Sequence, residues 1–205
     1  MDTVAVSYGL APSVELTRLC GCRHDYDDRL GYWRVMRSPR METTIPGVFV
    51  AGDGSQIRGY EAAINEGRAA GIAACTQLGK LSFDQADQLI GPLQSKLKRA
   101  GQFGEAVDGI STPRPGILDS IPDDTIICRC EDVTLGDIRA AVCYGAKGIN
   151  DIKRRTRLGM GHCQGRFCGQ TINELLWKLS AEDLPREVFT PRIPAKPVPF
   201  GVLLE

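Results

Sequence analysis

Histidine is nearly absent from this sequence: His24 and His162 are the only two among 205 residues. General acid-base chemistry at neutral pH therefore has few side chains to rest on, and no catalytic acid or base stands out. Net charge is missing too, because 25 basic side chains offset 25 acidic ones. A chain without a positive excess is a poor general binder of nucleic acid. No stretch of about 18 consecutive apolar residues occurs, and the opening "MDTVAVSYGLAPS" has neither the basic start nor the apolar run of an export signal. The expectation is a cytoplasmic protein without a transmembrane segment. Nor is there a G-x-G-x-x-G loop: "GMGHCQG" offers only G-x-G, and "GQFGEAVDG" has the wrong spacing.

What the chain does have is cysteine, eight in all. In a reducing compartment these read as ligands or buried small hydrophobes sooner than as disulfides. Cys20, Cys22, Cys75 and Cys143 lack partners at matching spacing and are expected to be structural. Cys128 and Cys130 in "CRCED", and Cys163 and Cys168 in "GMGHCQGRFCGQ", form a C-x-C pair, a gap of 32 residues and a C-x4-C pair. Two close pairs can converge on one centre. Zinc usually takes C-x2-C knuckles, so this spacing suits a thiolate-held iron-sulfur cluster better, with a zinc-stabilised interaction domain as the alternative.

The surroundings favour the cluster. An oxidised [2Fe-2S] centre with four thiolates carries a charge of about −2 and gains from nearby N–H groups and cations. Cys168 opens a predicted helix, and Arg129 and Arg166 lie between ligand cysteines. Gly159, Gly161, Gly165 and Gly169 let backbone approach sulfur. Lys153, Arg154, Arg155 and Arg157 read as a solvated helix face, and His162 as a loop histidine beside Cys163 that could tune the cluster.

Upstream, "DTVAVSYGL" reads as a buried strand through Val4 and Val6, "SVELTRLCG" as one or two helical turns, and "YWRVMRS" and "GVFVAGD" as strands. Small residues from Tyr60 to Leu78 suit a helix packed closely on a sheet and ended by Gly79. Residues 84–108, with Leu89, Leu93, Leu97 and Phe103, suggest an amphipathic helix. "GISTPRPGILDSIPDD" follows as a proline- and glycine-rich linker. Beyond it Thr134 and Asp137 begin a capped helix, "GINDIKRRTR" and "GQTINELLWKL" form two more, and the proline-rich tail is an extended strap.

The segment "CRCEDVTLGDIRAAVCYGAKGINDIKRRTRLGMGHCQGRFCG" resembles the bacterioferritin-associated-ferredoxin-like (BFD-like) [2Fe-2S] domain, in the version fused to FAD-dependent amine, proline and opine oxidoreductases such as opine oxidase, proline or hydroxyproline dehydrogenase and hydrogen cyanide synthase. That resemblance implies Cys128, Cys130, Cys163 and Cys168 as cluster ligands. Free-standing members end in C-x2-C, so C-x4-C points to the fused version. "TTIPGVFVAGDGS" resembles the strand-plus-Asp signature of two-dinucleotide-domain flavoproteins, which implies flavin contacts from Gly52 and Asp53 and from Tyr60 and Glu61 at the following helix start.

The implied fold is an α/β flavin-domain remnant of strands, hairpin and helix, followed by a small all-α [2Fe-2S]-binding domain. The expected boundaries are 1–80 for the flavoprotein part, 81–122 for the amphipathic helix and linker, 123–181 for the cluster domain and 182–205 for the tail. The chain aligns with the C-terminal portion of a longer flavoprotein, so FAD is expected to bind only when the N-terminal half is supplied. The implied function is the electron-transfer part of an FAD-dependent oxidoreductase acting on an amine, imino acid or opine. The implied partners, in a heteromeric complex, are two further subunits: one a substrate-oxidising flavoprotein, the other small and ferredoxin-like. A non-enzymatic electron carrier or sensor is the alternative.

Overall fold

The structure, a computed structural model, describes residues 2–5, 9–112, 114–180, 184 and 186–204. The chain divides into two compact units, one of residues 1–112 with 191–205 and one of residues 113–190.

In the first unit a short helix α1, Glu15–Leu19, precedes an antiparallel hairpin of β1, His24–Asp27, and β2, Tyr32–Val35. Tyr26 and Trp33 pair across it edge to face, with ring centres 5.2 Å apart. Helix α2, Tyr60–Gln77, ends in a left-handed Gly79 whose N–H reaches the Thr76 carbonyl. Helix α3, Phe83–Ser111, starts in a capping box in which Ser82 and Gln85 satisfy one another's N–H groups. Ala62 and Ala69 of α2 meet Leu93 and Leu97 of α3 in one apolar cluster, joined by Met41. The small α2 residues thus serve a helix contact rather than a sheet contact.

Several sequence expectations change here. Val4 is 73% exposed and residues 2–5 form no strand, while Val6 lies outside the described residues. "GVFVAGD" is extended but pairs only by the single Glu42–Phe49 bridge, since no third strand lies beside it among the described residues. The buried stripe of α3 runs Ala86, Ile90, Leu93, Leu97, one position off the expected Leu89 register; Leu89 and Phe103 are exposed. Helix α3 exceeds α2 by 11 residues, roughly 16 Å at 1.5 Å per residue, so α2 cannot cover its whole length.

The second unit holds a small hairpin of β3, Ile126–Cys128, and β4, Val133–Thr134, then helices α4, Leu135–Cys143, α5, Ile149–Thr156, and α6, Gly169–Leu179. The hairpin departs from the all-α expectation. Thr134 and Asp137 cap α4 reciprocally, as their spacing predicts. Leu135, Ile138, Ile149, Ile152, Leu158, Ile172 and Leu175 form one dry core, each side chain stabilising by about 1.5–3 kcal/mol. The expected linker is largely structured: α3 runs to Ser111, and a 3-10 turn over Pro115–Ser120 is followed by Ile121, which packs with Leu118 on this core. The tail over 191–199 is without regular structure, and Phe200–Leu203 make a 3-10 turn.

Candidate metal centre

Each pair of cysteines is placed by a different local device. Cys128 closes β3 and Cys130 follows in the turn of the hairpin, where Asp132 takes a left-handed conformation. Cys168 is the residue before α6, at the positive end of its dipole, and the turn from Arg157 to Cys168 carries Cys163. Arg157 donates through Nε to Glu131 Oε2 at 2.7 Å, tying the residue after the first pair to the start of the second ligand loop. The "CED" and "TRxGMG" motifs are thus two halves of one clasp.

The four thiols come together. Cys168 has the Cys128 and Cys163 sulfurs as neighbours, and Cys130 those of Cys163 and Cys128. Cys128, Cys163 and Cys168 are buried and Cys130 is partly exposed. Burial pushes the Cys168 thiol up to about 12, with the Cys128 sulfur adding to the rise. At Cys163 burial also pushes upward, but N–H groups of Phe167, Gly165 and Arg166 and the Cys130 thiol outweigh it, so this thiol lies below the ordinary value. Cys130 is lowered by the Cys163 N–H, yet the Cys163 thiol and neighbouring sulfurs leave it raised on balance.

Among the described residues no three His, Cys, Asp or Glu side chains are arranged around a single metal ion. A two-iron cluster asks for four thiolates, and four neighbouring sulfurs with N–H groups aimed at one of them fit that demand. His162 is exposed, with Nε2 3.7 Å from the Cys130 sulfur. Arg154 pairs with Asp151 and Arg155 reaches the Tyr144 carbonyl, both on the exposed face expected of that basic run.

The glycines divide their work in a way the sequence did not reveal. At Gly161 an added Cβ would collide with Cys130 Cβ and lie 3.2 Å from its carbonyl oxygen. Gly159, Gly165 and Gly169 face the Phe189 ring instead. Of the four other cysteines only Cys22 is buried, its thiol 3.3 Å from Thr43 Oγ1, while Cys20, Cys75 and Cys143 are exposed. Burial therefore accounts for one of those four.

In the first unit Gly52 is buried with φ +64°, and its turn packs on the start of α2, with Ala63 Cβ 3.1 Å from where a side chain would begin. Asp53, Tyr60 and Glu61 are exposed. Tyr60 OH donates to Glu61 at 3.3 Å, and α2 begins at Gly59 without a side-chain cap. Sequence reasoning missed what fixes this turn. Glu66, 1% exposed, accepts the Gly52 N–H at 2.7 Å and both Arg37 Nη groups, at 3.0 and 2.6 Å. Arg37 also donates to the Val50 carbonyl at 3.0 Å. A charged pair inside "INEGR" and "VMRS" could have been flagged by its place on otherwise apolar faces.

Comparison with known proteins agrees with this geometry. Residues 126–178 match the BFD-like [2Fe-2S] binding domain. Over its whole length the chain is 33% identical to one of the subunits of opine oxidase from Rhizobium meliloti, covering 39% of that protein. It is 36% identical to hydrogen cyanide synthase subunit HcnB of Pseudomonas protegens across 98% of this chain and 42% of that one. The crystal structure of L-proline dehydrogenase from P. horikoshii superposes with a TM-score of 0.65 at 25% identity, over 94% of this chain and 37% of that chain. The chain thus spans about two fifths of the length of the curated relatives it matches. No helix among the described residues is long and apolar enough to cross a membrane.

Proposed function

We propose that this chain is the electron-transfer part of an FAD-dependent oxidoreductase that oxidises an amine, imino acid or opine, with Cys128, Cys130, Cys163 and Cys168 holding a [2Fe-2S] cluster. The observation that carries the reading is the meeting of four thiols from two distant segments, two of them buried in the apolar core and two at its edge. FAD would supply a hydride acceptor for oxidation of a C–N bond, and a cluster held by Cys128, Cys130, Cys163 and Cys168 would supply one-electron carriage. The chain's own residues supply the setting. Buried Cys128 and Cys168 exclude water from one side, and the loop N–H groups around Cys163 stabilise negative sulfur.

Near the flavin the chain contributes Gly52 and Asp53, held by Glu66 and Arg37, and the uncapped start of α2 at Tyr60 and Glu61. Uncapped N–H groups and an exposed carboxylate suit a hydroxyl- and phosphate-bearing cofactor. Residues 1–80 on this reading are the C-terminal part of a two-dinucleotide-domain flavoprotein fold, and FAD binds only when the N-terminal half is supplied. The substrate class rests on the whole-length relatives, named for opine, hydrogen cyanide and proline chemistry. The chain's partners in the complex are a substrate-oxidising flavoprotein and a small ferredoxin-like protein.

The test is anaerobic titration of the complete complex with candidate amines, imino acids and opines. Bleaching of flavin absorption followed by that of the cluster supports the assignment. Flavin reduction that leaves the cluster oxidised, or reaction with none of these substrates, overturns it.

A further inference from the structure

We propose that Phe189, carried on residues 186–190 beyond the matched family domain, is a positioning residue that clamps the cluster-binding loop 159–169 in its ligating form and shields it from solvent. The inference rests on the reading of the four cysteines as cluster ligands. The Phe189 ring lies against three glycines of that loop. A Cβ at Gly159 would stand 2.7 Å from the ring's Cζ, one at Gly165 would come closer still, and Gly169 is in ordinary contact at 3.6 Å. Gly159 and Gly165 are also left-handed, at φ +77° and +79°. Absence of side chains at these positions makes a seat for one aromatic ring.

The seat is coupled to the sulfurs through the backbone. Gly165 contributes an N–H to Cys163, and Gly169 follows Cys168 as the first residue of α6. A ring wedged between Gly159 and Gly165 therefore fixes the path of the chain on both sides of Cys163.

The segment bearing the ring is itself anchored by polar residues whose presence in helices has no other evident use. Asn150 of α5 donates to the Val188 carbonyl at 3.2 Å and accepts the Thr190 N–H at 3.1 Å, bracketing Phe189. Buried Asn173 of α6 accepts the Glu187 N–H at 3.0 Å. Arg186 pairs with Glu174 and stacks 4.1 Å from the Trp177 ring, and Lys153 Nζ lies 5.4 Å from the centre of Phe189. Asparagine is a weak helix former, so two placed to grip one strap point to docking of that strap.

The experiment uses the full chain, purified anaerobically, as Phe189→Ala, Phe189→Leu and Asn150→Ala. Iron and sulfide content, visible circular dichroism and the rate of cluster bleaching in air are read for each. Phe189→Ala is expected to bleach about tenfold faster or more and to alter the visible dichroism, while Phe189→Leu restores most of both. Asn150→Ala, which removes both bonds flanking the ring yet favours the helix, is expected to bleach at least about fivefold faster. Unchanged bleaching and dichroism in Phe189→Ala overturns the proposal; if that variant fails to fold, unchanged bleaching in Asn150→Ala does so. An unsubstituted chain that holds no iron and sulfide overturns instead the ligand reading beneath it.

Discussion

Replacing Gly161 by alanine adds one methyl group where the second cysteine segment lies against the first. The new carbon would fall on Cys130 Cβ and stand 3.2 and 3.3 Å from the oxygen and carbon of the Cys130 carbonyl. Comfortable carbon contacts are roughly 3.5–4.0 Å, so the C-x-C turn must retreat by more than about 1 Å. None of these neighbours is the tip of a flexible side chain. Overpacking of this kind costs about 1–3 kcal/mol in stability, which the Leu135–Ile138–Ile152 core can absorb. Metal–thiolate bonding is less forgiving, because ligand positions are held to about 0.2 Å. Gly161→Ala is therefore expected to fold but to lose at least about tenfold in cluster content, measured as iron and sulfide per chain alongside far-ultraviolet dichroism. A folded variant with full iron, full sulfide and an unaltered visible spectrum would refute the reasoning.

The buried Arg37–Glu66 pair gives a second expectation: Glu66→Ala strands the Arg37 charge and the Gly52 N–H, and should lower unfolding stability by about 3–5 kcal/mol in denaturant titration. His24 is held down to about 4, first by burial and then by the Arg18 charge, with its ring 2.8 Å from Thr17 Oγ1. Because its folded value lies below the unfolded one near 6.5, stability is complete above that pH and is lost as pH falls from there toward 4. After allowance for solvent screening the loss is about 1–2 kcal/mol, and His24→Gln should abolish that part of the pH dependence in thermal melts. Alkylation followed by mass mapping should find Cys20, Cys75 and Cys143 reactive in the cluster-bound chain and Cys128, Cys130, Cys163 and Cys168 protected. Labelling of any of those four at the rate of the exposed three would remove it from the ligand set.

Local signals carried much of this architecture into the sequence. Gly79 as a helix terminator, Thr134 with Asp137 as a cap and Cys168 at a helix start are short-range chemistry, and each stands where its residues indicate. Of the strands, Tyr32–Val35 in "YWRVMRS" pairs as expected, while others do not, because pairing is non-local. Val48 and Val50 have strand character, yet in this unit they make only an isolated bridge and pack in a small cluster with Val35 and Cys22. The α3 register was misjudged for a related reason: leucines drew the eye to Leu89, whereas Ala86 and Ile90 supply the buried stripe. Spacing singled out the four cysteines that the fold brings together, but not what supports them. That Gly159 and Gly165 seat Phe189, 30 and 24 residues further on, depends on the chain folding back. No periodicity announces it. A proline-rich tail suggested a strap without showing that Asn150 and Asn173 grip its beginning.

The claim on which all else depends is that four sulfurs from residues 128, 130, 163 and 168 hold a two-iron cluster. Iron and acid-labile sulfide counting on the anaerobically purified chain, with electron paramagnetic resonance after one-electron reduction, addresses it directly. Two irons and two sulfides per chain with a single reduced-cluster signal, lost when Cys128 or Cys168 is replaced by serine, is the predicted result. One zinc per chain with neither iron nor sulfide, persisting after anaerobic reconstitution, would contradict it.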